Sequence, residues 1–109
     1  MEWTHVLSYF FAGAFLTNAI PHFVSGLMGR PFQSPFAKPP GKGLSSSTVN
    51  VLWGFFNMAV GYGLMAGVGT FDPRSAPHVV AVGLGSLLIG LWTAHWFGQF
   101  HGGNTPERE

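Results

Sequence analysis

The chain has 109 residues, of which 47% are hydrophobic and only 8% are charged, and its formal net charge is +1. Soluble domains carry about 25% charged residues, so this composition argues against a water-exposed surface, and so small a net charge gives no reason to expect a nucleic-acid partner. The chain contains no cysteine, which excludes disulfides, thiolate metal sites and thiol chemistry.

Three apolar stretches without a charged residue run over residues 6–27, 49–68 and 79–100. Each can cross a bilayer, whose hydrocarbon core requires about 20 apolar residues in a helix. The sequence therefore predicts an all-α integral membrane protein in which residues 1–109 form a single transmembrane domain, with helices at about 5–28, 47–68 and 77–100. The N-terminal residues lack the basic region of a cleaved signal peptide, so we expect the first helix to be retained.

The first predicted helix carries polar residues near its C-terminal end. Asn18 and His22 are four residues apart and therefore share a helical face. Pro21 lies between them and lacks an N–H, which frees the carbonyl of Thr17 and predicts a kink in the helix. Ionisable residues inside a membrane are candidates for function, so this region is the first candidate ligand-binding site.

The loop over residues 29–46 contains four prolines together with Phe32 and Phe36. Prolines exclude a regular helix, and phenylalanines are unusual in a freely solvated linker. We expect a semi-rigid strap at the membrane interface whose phenylalanines enter lipid or contact the helices; an ordinary connector is the alternative. Lys42 and Gly43, just before the second helix, are a candidate anion or lipid-headgroup site, although a capped helix start also explains this segment.

The second predicted helix carries two stripes of small and polar residues. Ala59, Gly63 and Gly67 recur every four residues, a spacing that lets another helix approach closely. A second face contains Asn50 and Asn57, and an asparagine in a membrane helix usually donates a hydrogen bond to a neighbouring helix. We assign Asn57 to helix packing and Asn50, near the start of the helix, to the candidate site.

The third predicted helix contributes a second histidine. His22 and His95 each lie about five residues before the end of an apolar stretch, in helices that run in the same direction. Both imidazoles are therefore expected at a similar depth, about 7–8 Å below the membrane boundary. Ser86 and Gly90, four residues apart, are expected to pack against another helix. The predicted ligand-binding residues are His22, His95, Asn18 and Asn50.

Positive charges are biased to one side of the predicted membrane region. The first loop and the C-terminal tail hold four of the five, namely Arg30, Lys38, Lys42 and Arg108. The positive-inside rule then predicts the N-terminus outside and the C-terminus in the cytoplasm. We expect a multi-pass protein of the cell (plasma or inner) membrane that contacts membrane lipids. Small-residue stripes on several faces predict a homo-oligomer or a larger membrane complex.

Several functions are compatible with these residues. The leading one is a non-enzymatic subunit whose His/Asn pocket in the cytoplasmic leaflet binds a hydrophobic ligand, either a lipid or a quinone. The alternatives are a bis-histidine haem b protein, an oligomeric channel or facilitator lined by Asn50 and Asn57, and a purely structural accessory subunit. No catalytic spacing is visible, and an enzyme would require His22 and His95 to be reactive. The spans contain no carboxylate, which argues against a metal site and an ion-coupled exporter.

Overall fold

The computed structural model describes residues 2–106, and within them the chain is helical with one short two-stranded ladder. Its elements are α1 (Trp3–Leu27), β1 (Phe32–Gln33), β2 (Leu44–Ser45), α2 (Ser47–Ala66) and α3 (Ala76–His101). Each of the three helices is long enough and apolar enough to cross a membrane, which confirms the prediction of three such helices. Arg108, used above to predict the orientation, lies outside the described residues.

Local sequence explains where the helices begin. The Oγ of Ser46 accepts a hydrogen bond from the N–H of Val49 at 3.1 Å and caps α2. Ser75 caps α3 in the same way, and Pro77 occupies its first turn, where a missing N–H costs nothing. Within α1, the helix continues through Pro21 to its end.

Helix α1 is the central element, because it packs against both α2 and α3 while those two helices make little contact with each other. Glycines at the crossings allow this close approach. A Cβ added at Gly85 of α3 would overlap the carbonyl oxygen of Phe10, and one added at Gly54 of α2 would lie 2.6 Å from the backbone nitrogen of Phe23. Helices α2 and α3 therefore lie on either side of α1, and a space between them remains open along α1.

The segment of residues 29–46, called the strap from here on, is folded against the helices. Strands β1 and β2 pair in antiparallel orientation, with Phe32 opposite Ser45. The indole Nε1 of Trp96 in α3 donates to the carbonyl of Gly41 at 2.8 Å, which ties the tip of the strap to the C-terminal part of α3. The strap therefore covers the end of the molecule where α1 and α3 finish and α2 begins.

Candidate functional site

Asn50 joins three parts of the molecule at the strap end. Its side chain is fully buried, and its Nδ2 lies 3.1–3.2 Å from the carbonyl oxygens of Phe32, Ser45 and Ser46. Its Oδ1 lies 2.9 Å from Nδ1 of His22. One amide therefore connects α1, the strap and the first turn of α2.

These contacts determine the tautomer of His22. Carbonyl oxygens cannot donate, so the amide nitrogen of Asn50 must face the three carbonyls and its oxygen must face the imidazole. Because that oxygen only accepts, Nδ1 of neutral His22 carries the proton and donates it. The lone pair of Nε2 is then available, and no group within residues 2–106 makes a hydrogen bond with it.

His22 borders a cavity of about 210 Å³, although only 2% of the residue is exposed. Asn18 and Trp53 contribute to the same wall. The strap and α3 supply the remaining lining residues, which are Ser34, Pro35, Gly41, Trp92, Trp96 and Phe97. This lining, taken from the described part of the chain, contains no charged side chain. The cavity is therefore aromatic and uncharged, with a few polar atoms that can orient a ligand.

A second space lies beside this cavity, towards the middle of α1. This space of about 300 Å³ shares Asn18 and Trp92 with the cavity. The other residues that line this space are Ala14, Phe15, Asn57 and Ile89. We call the two spaces together the groove. It has a polar end at His22 beneath the strap and an arm that runs along α1 between α2 and α3.

Two asparagines join α1 to α2 at the middle of the groove. Asn18 Nδ2 donates to Asn57 Oδ1 at 3.1 Å, and Asn57 Nδ2 donates to the carbonyl of Trp53 at 2.8 Å. Asn57 therefore makes the kind of interhelical hydrogen bond expected of a membrane asparagine, and it also lines the groove.

Trp53 carries an unpaired hydrogen-bond donor. Its Nε1 is buried and is the one buried side-chain nitrogen or oxygen in the described range that has no hydrogen-bond partner. The indole packs edge-on against His22, with ring centroids 6.3 Å apart, and against Phe36 of the strap at 5.1 Å. A buried donor without a partner costs about 1–3 kcal/mol of stability.

His95 lies outside the groove. It is exposed on α3, and it is not among the described residues that line either space. The residue count along a helix determines depth, but each residue also turns by about 100° around the axis, and at this depth Trp96 and Phe97 face α1 instead. The structure therefore does not bring His95 together with His22, Asn18 and Asn50.

A different histidine of α3 reaches the strap. Nε2 of His101 lies 3.0 Å from Oε1 of Gln33, and its ring stacks in parallel on Phe32 with centroids 5.2 Å apart. Phe32 packs edge-on against His22 at 5.5 Å. The strap phenylalanine is therefore inserted between two imidazoles, an arrangement that no local sequence pattern reveals.

Within residues 2–106, the predicted stripe of small residues on α2 faces away from α1. A Cβ added at Gly63 would meet no atom within 4 Å, Ala59 is exposed, and Gly67 is the C-cap of the helix. The face of α2 that packs on α1 is the other predicted one, with Asn50, Gly54, Asn57 and Gly61 buried. The stripe is therefore left open on the outer surface of the chain.

The two predicted packing residues of α3 do face α1. Ser86 Oγ donates to the carbonyl of Gly13 at 3.2 Å. A Cβ added at Gly90 would lie 3.9 Å from the methyl group of Thr17, an ordinary van der Waals contact. Both residues therefore belong to the α1–α3 contact.

Lys42 and Gly43 do not form a backbone cradle for an anion. The N–H of Gly41 donates to the carbonyl of Ser34 at 2.8 Å, and those of Lys42 and Gly43 donate to the carbonyl of Pro39 at 3.1 and 2.8 Å. These donors are used inside the strap, so only the exposed ammonium group of Lys42 remains for an anion or a lipid headgroup.

Comparison of the chain with protein-family models, with curated proteins and with solved structures finds no match. Within residues 2–106, no group of three or more histidine or acidic side chains is placed to hold a metal ion. Any function must therefore be inferred from the groove itself.

Proposed function

We propose that this chain is a non-enzymatic subunit of the cell (plasma or inner) membrane that binds a hydrophobic molecule, such as a lipid or a quinone, in its groove. The observation that carries the proposal is His22, which lines the groove and whose Nε2 makes no hydrogen bond within residues 2–106. A ring nitrogen that has no partner inside the protein and lies beside a cavity can instead bind a polar group of a ligand.

The two ends of the groove suit two parts of one ligand. The end beneath the strap offers an acceptor on His22 and an unpaired donor on Trp53. The arm passes Ala14, Phe15 and Ile89, which suit an apolar tail. A molecule with a small polar head and a long apolar tail would satisfy the polar atoms and cover the apolar wall together.

The distribution of positive charge supports a location of the polar end in the cytoplasmic leaflet. Arg30, Lys38 and Lys42 all lie in the strap, and all three are exposed. The positive-inside rule assigns such a loop to the cytoplasm, which leaves the N-terminus outside. The ligand head would then bind a few ångströms beneath the cytoplasmic surface.

Native mass spectrometry of the protein extracted in a mild detergent tests this proposal. We expect the wild type to retain a small-molecule mass that His22→Ala loses. His95→Ala is the matched control, because it removes an exposed imidazole from the same leaflet and should retain the mass. A wild-type protein without any bound molecule, or retention of the mass in His22→Ala, would contradict the proposal.

The exposed stripe on α2 supports a second candidate, a structural subunit of a homo-oligomer or larger complex. Ala59 and Gly63 leave an open, small-residue face that suits close contact between helices. The same mass spectrum distinguishes this candidate, since it predicts a stable multimer without a ligand. The channel and haem b alternatives have less support. Asn50 and Asn57 are hydrogen-bonded against α1, and His22 has no second imidazole across its cavity within the described chain.

A further inference from the structure

We infer that the head of the ligand is an uncharged phenolic alcohol that donates a hydrogen bond to Nε2 of His22. The groove would then select the reduced, hydroxyl-bearing form of a quinone over the oxidised form. This inference rests on the proposed function and adds to it the chemistry of the ligand head.

The locked tautomer of His22 is the first argument. For Nε2 to become the protonated nitrogen of a neutral ring, Nδ1 would have to lose its proton and face the oxygen of Asn50, lone pair against lone pair. Asn50 cannot flip its amide to help, because its nitrogen already donates towards carbonyls of the strap and of the start of α2. A ligand at Nε2 must therefore donate. A quinone carbonyl only accepts, whereas a quinol hydroxyl donates.

The unpaired N–H of Trp53 is the second argument. The indole and imidazole rings pack edge to face with centroids 6.3 Å apart, and both residues line the same cavity. The oxygen of a hydroxyl group accepts a hydrogen bond while its proton is donated. A phenolic hydroxyl can therefore donate to His22 and accept from Trp53, whereas a quinone carbonyl can only accept.

The walls of the cavity are the third argument. Trp92 and Trp96 stack nearly parallel, at 4° with centroids 5.7 Å apart, and Phe97 packs edge-on against His22 at 5.6 Å. Aromatic walls of this kind favour a flat aromatic head through offset and edge-to-face contacts. The lining has no charged side chain among the described residues, so a phosphate head would be desolvated there without a counter-charge.

Calorimetric titration of the protein in nanodiscs tests the inference with four probes. These are a decyl-substituted benzoquinol, the corresponding benzoquinone, the dimethyl ether of the quinol, and dioleoylglycerol. We expect the quinol to bind about tenfold more tightly than the quinone and the ether, the ratio for one hydrogen bond of ordinary strength. His22→Ala should abolish this preference. Trp53→Phe, which keeps an aromatic ring in place, should weaken quinol binding severalfold and serves if His22→Ala does not fold.

Each of the other outcomes contradicts a specific claim. Equal binding of quinol, quinone and ether, or a quinol preference that persists in both variants, overturns the inference and leaves the proposed function standing. Binding of dioleoylglycerol as tight as that of the quinol overturns the aromatic head. Failure of all four probes to bind, combined with a wild-type protein that purifies without any bound molecule, overturns the inference and the proposed function together.

Discussion

At the scale of single residues, the chemistry of the groove depends on one buried amide. Asn50 orients the imidazole of His22 and at the same time holds the strap against the start of α2. Its oxygen and nitrogen have fixed roles because their partners can act in one sense only. The residue is therefore both a structural tie and the group that makes His22 an acceptor.

We predict that Asn50→Ala destabilises the ligand-free protein by about 2–4 kcal/mol, because it removes the partner of Nδ1 of His22 and the amide donor that faces the carbonyls of Phe32 and Ser45. Equilibrium unfolding in detergent, followed by circular dichroism, measures this loss. Gln99→Ala is the control, since Gln99 is exposed and bonds only the carbonyl of Trp96 in its own helix. Equal stability of Asn50→Ala and the wild type would contradict the role assigned to Asn50.

We predict that Trp53→Phe raises the stability of the ligand-free protein by about 1 kcal/mol while it weakens ligand binding. The substitution removes a buried donor that has no partner and keeps a large aromatic ring in the wall. Stability and binding should therefore change in opposite directions. Trp3→Phe is the control, because Trp3 is 69% exposed at the start of α1 and its substitution removes no buried donor. Lower stability of Trp53→Phe would refute this prediction.

Part of the site could be predicted from single residues. The spacing of Asn18 and His22 places them on one face, and the position of Asn50 at the start of the next helix places it at the same depth. The structure brings Asn18 and His22 to the lining of one cavity and places Asn50 against His22, although Asn50 is not among the lining residues. His95 illustrates the limit, because depth follows from counting residues whereas the facing direction depends on how α3 packs. Whether Nε1 of Trp53 has a hydrogen-bond partner depends on the tertiary structure, so the sequence does not predict it.

At the scale of elements, glycines determine how closely the helices approach. Gly85 of α3 has the carbonyl of Phe10 where a side chain would be, whereas Gly83, two residues earlier, faces open space. Composition alone predicts tight packing by many glycines, but it does not distinguish the glycines that pack from those on the surface. The Ala59–Gly63–Gly67 spacing predicts a helix contact, but these residues lie on the exposed face of α2.

We predict that Gly85→Ala destabilises the protein by about 1–3 kcal/mol, because the added methyl group must push α3 away from α1. Gly83→Ala is the matched control in the same helix. It should be neutral or stabilising by up to about 1 kcal/mol, since alanine is the better helix former and nothing lies in its way. Unfolding in detergent compares the two variants. Equal effects of both would show that the α1–α3 crossing is not as close as described.

The strap is held to the helices by few hydrogen bonds, so its opening can be measured separately from unfolding. Trp96→Phe removes the hydrogen bond to the carbonyl of Gly41, which lowers the free energy of local strap opening by about 1 kcal/mol. We predict about fivefold faster tryptic cleavage after Lys42, the one strap cation that no proline follows. Trp3→Phe, at the other end of α1, is again the control. An unchanged cleavage rate would indicate that this bond does not hold the strap.

At the scale of the whole molecule, the open groove follows from a central α1 and from the small contact between α2 and α3. Hydropathy and length predict three spans because those properties are local to each stretch. The order of packing depends on contacts between distant residues, such as Ser86 with Gly13 and Tyr9 with Val68, and could not be predicted from any one segment. The sequence therefore predicts the elements and several residues of the site, but not the groove that joins them.

The most direct test of the central claim is the nitrogen resonance of His22 in the 15N-histidine-labelled protein in nanodiscs. His22→Gln identifies its signals among those of the five histidines. We predict a ring protonated at Nδ1 and unprotonated at Nε2 in the ligand-free protein, with an Nε2 signal that shifts as a hydrogen-bond acceptor when the decyl-substituted benzoquinol is added. A ring protonated at Nε2, or an Nε2 signal that does not respond to any of the four probes, would contradict the claim that His22 is the acceptor at the end of a ligand-binding groove.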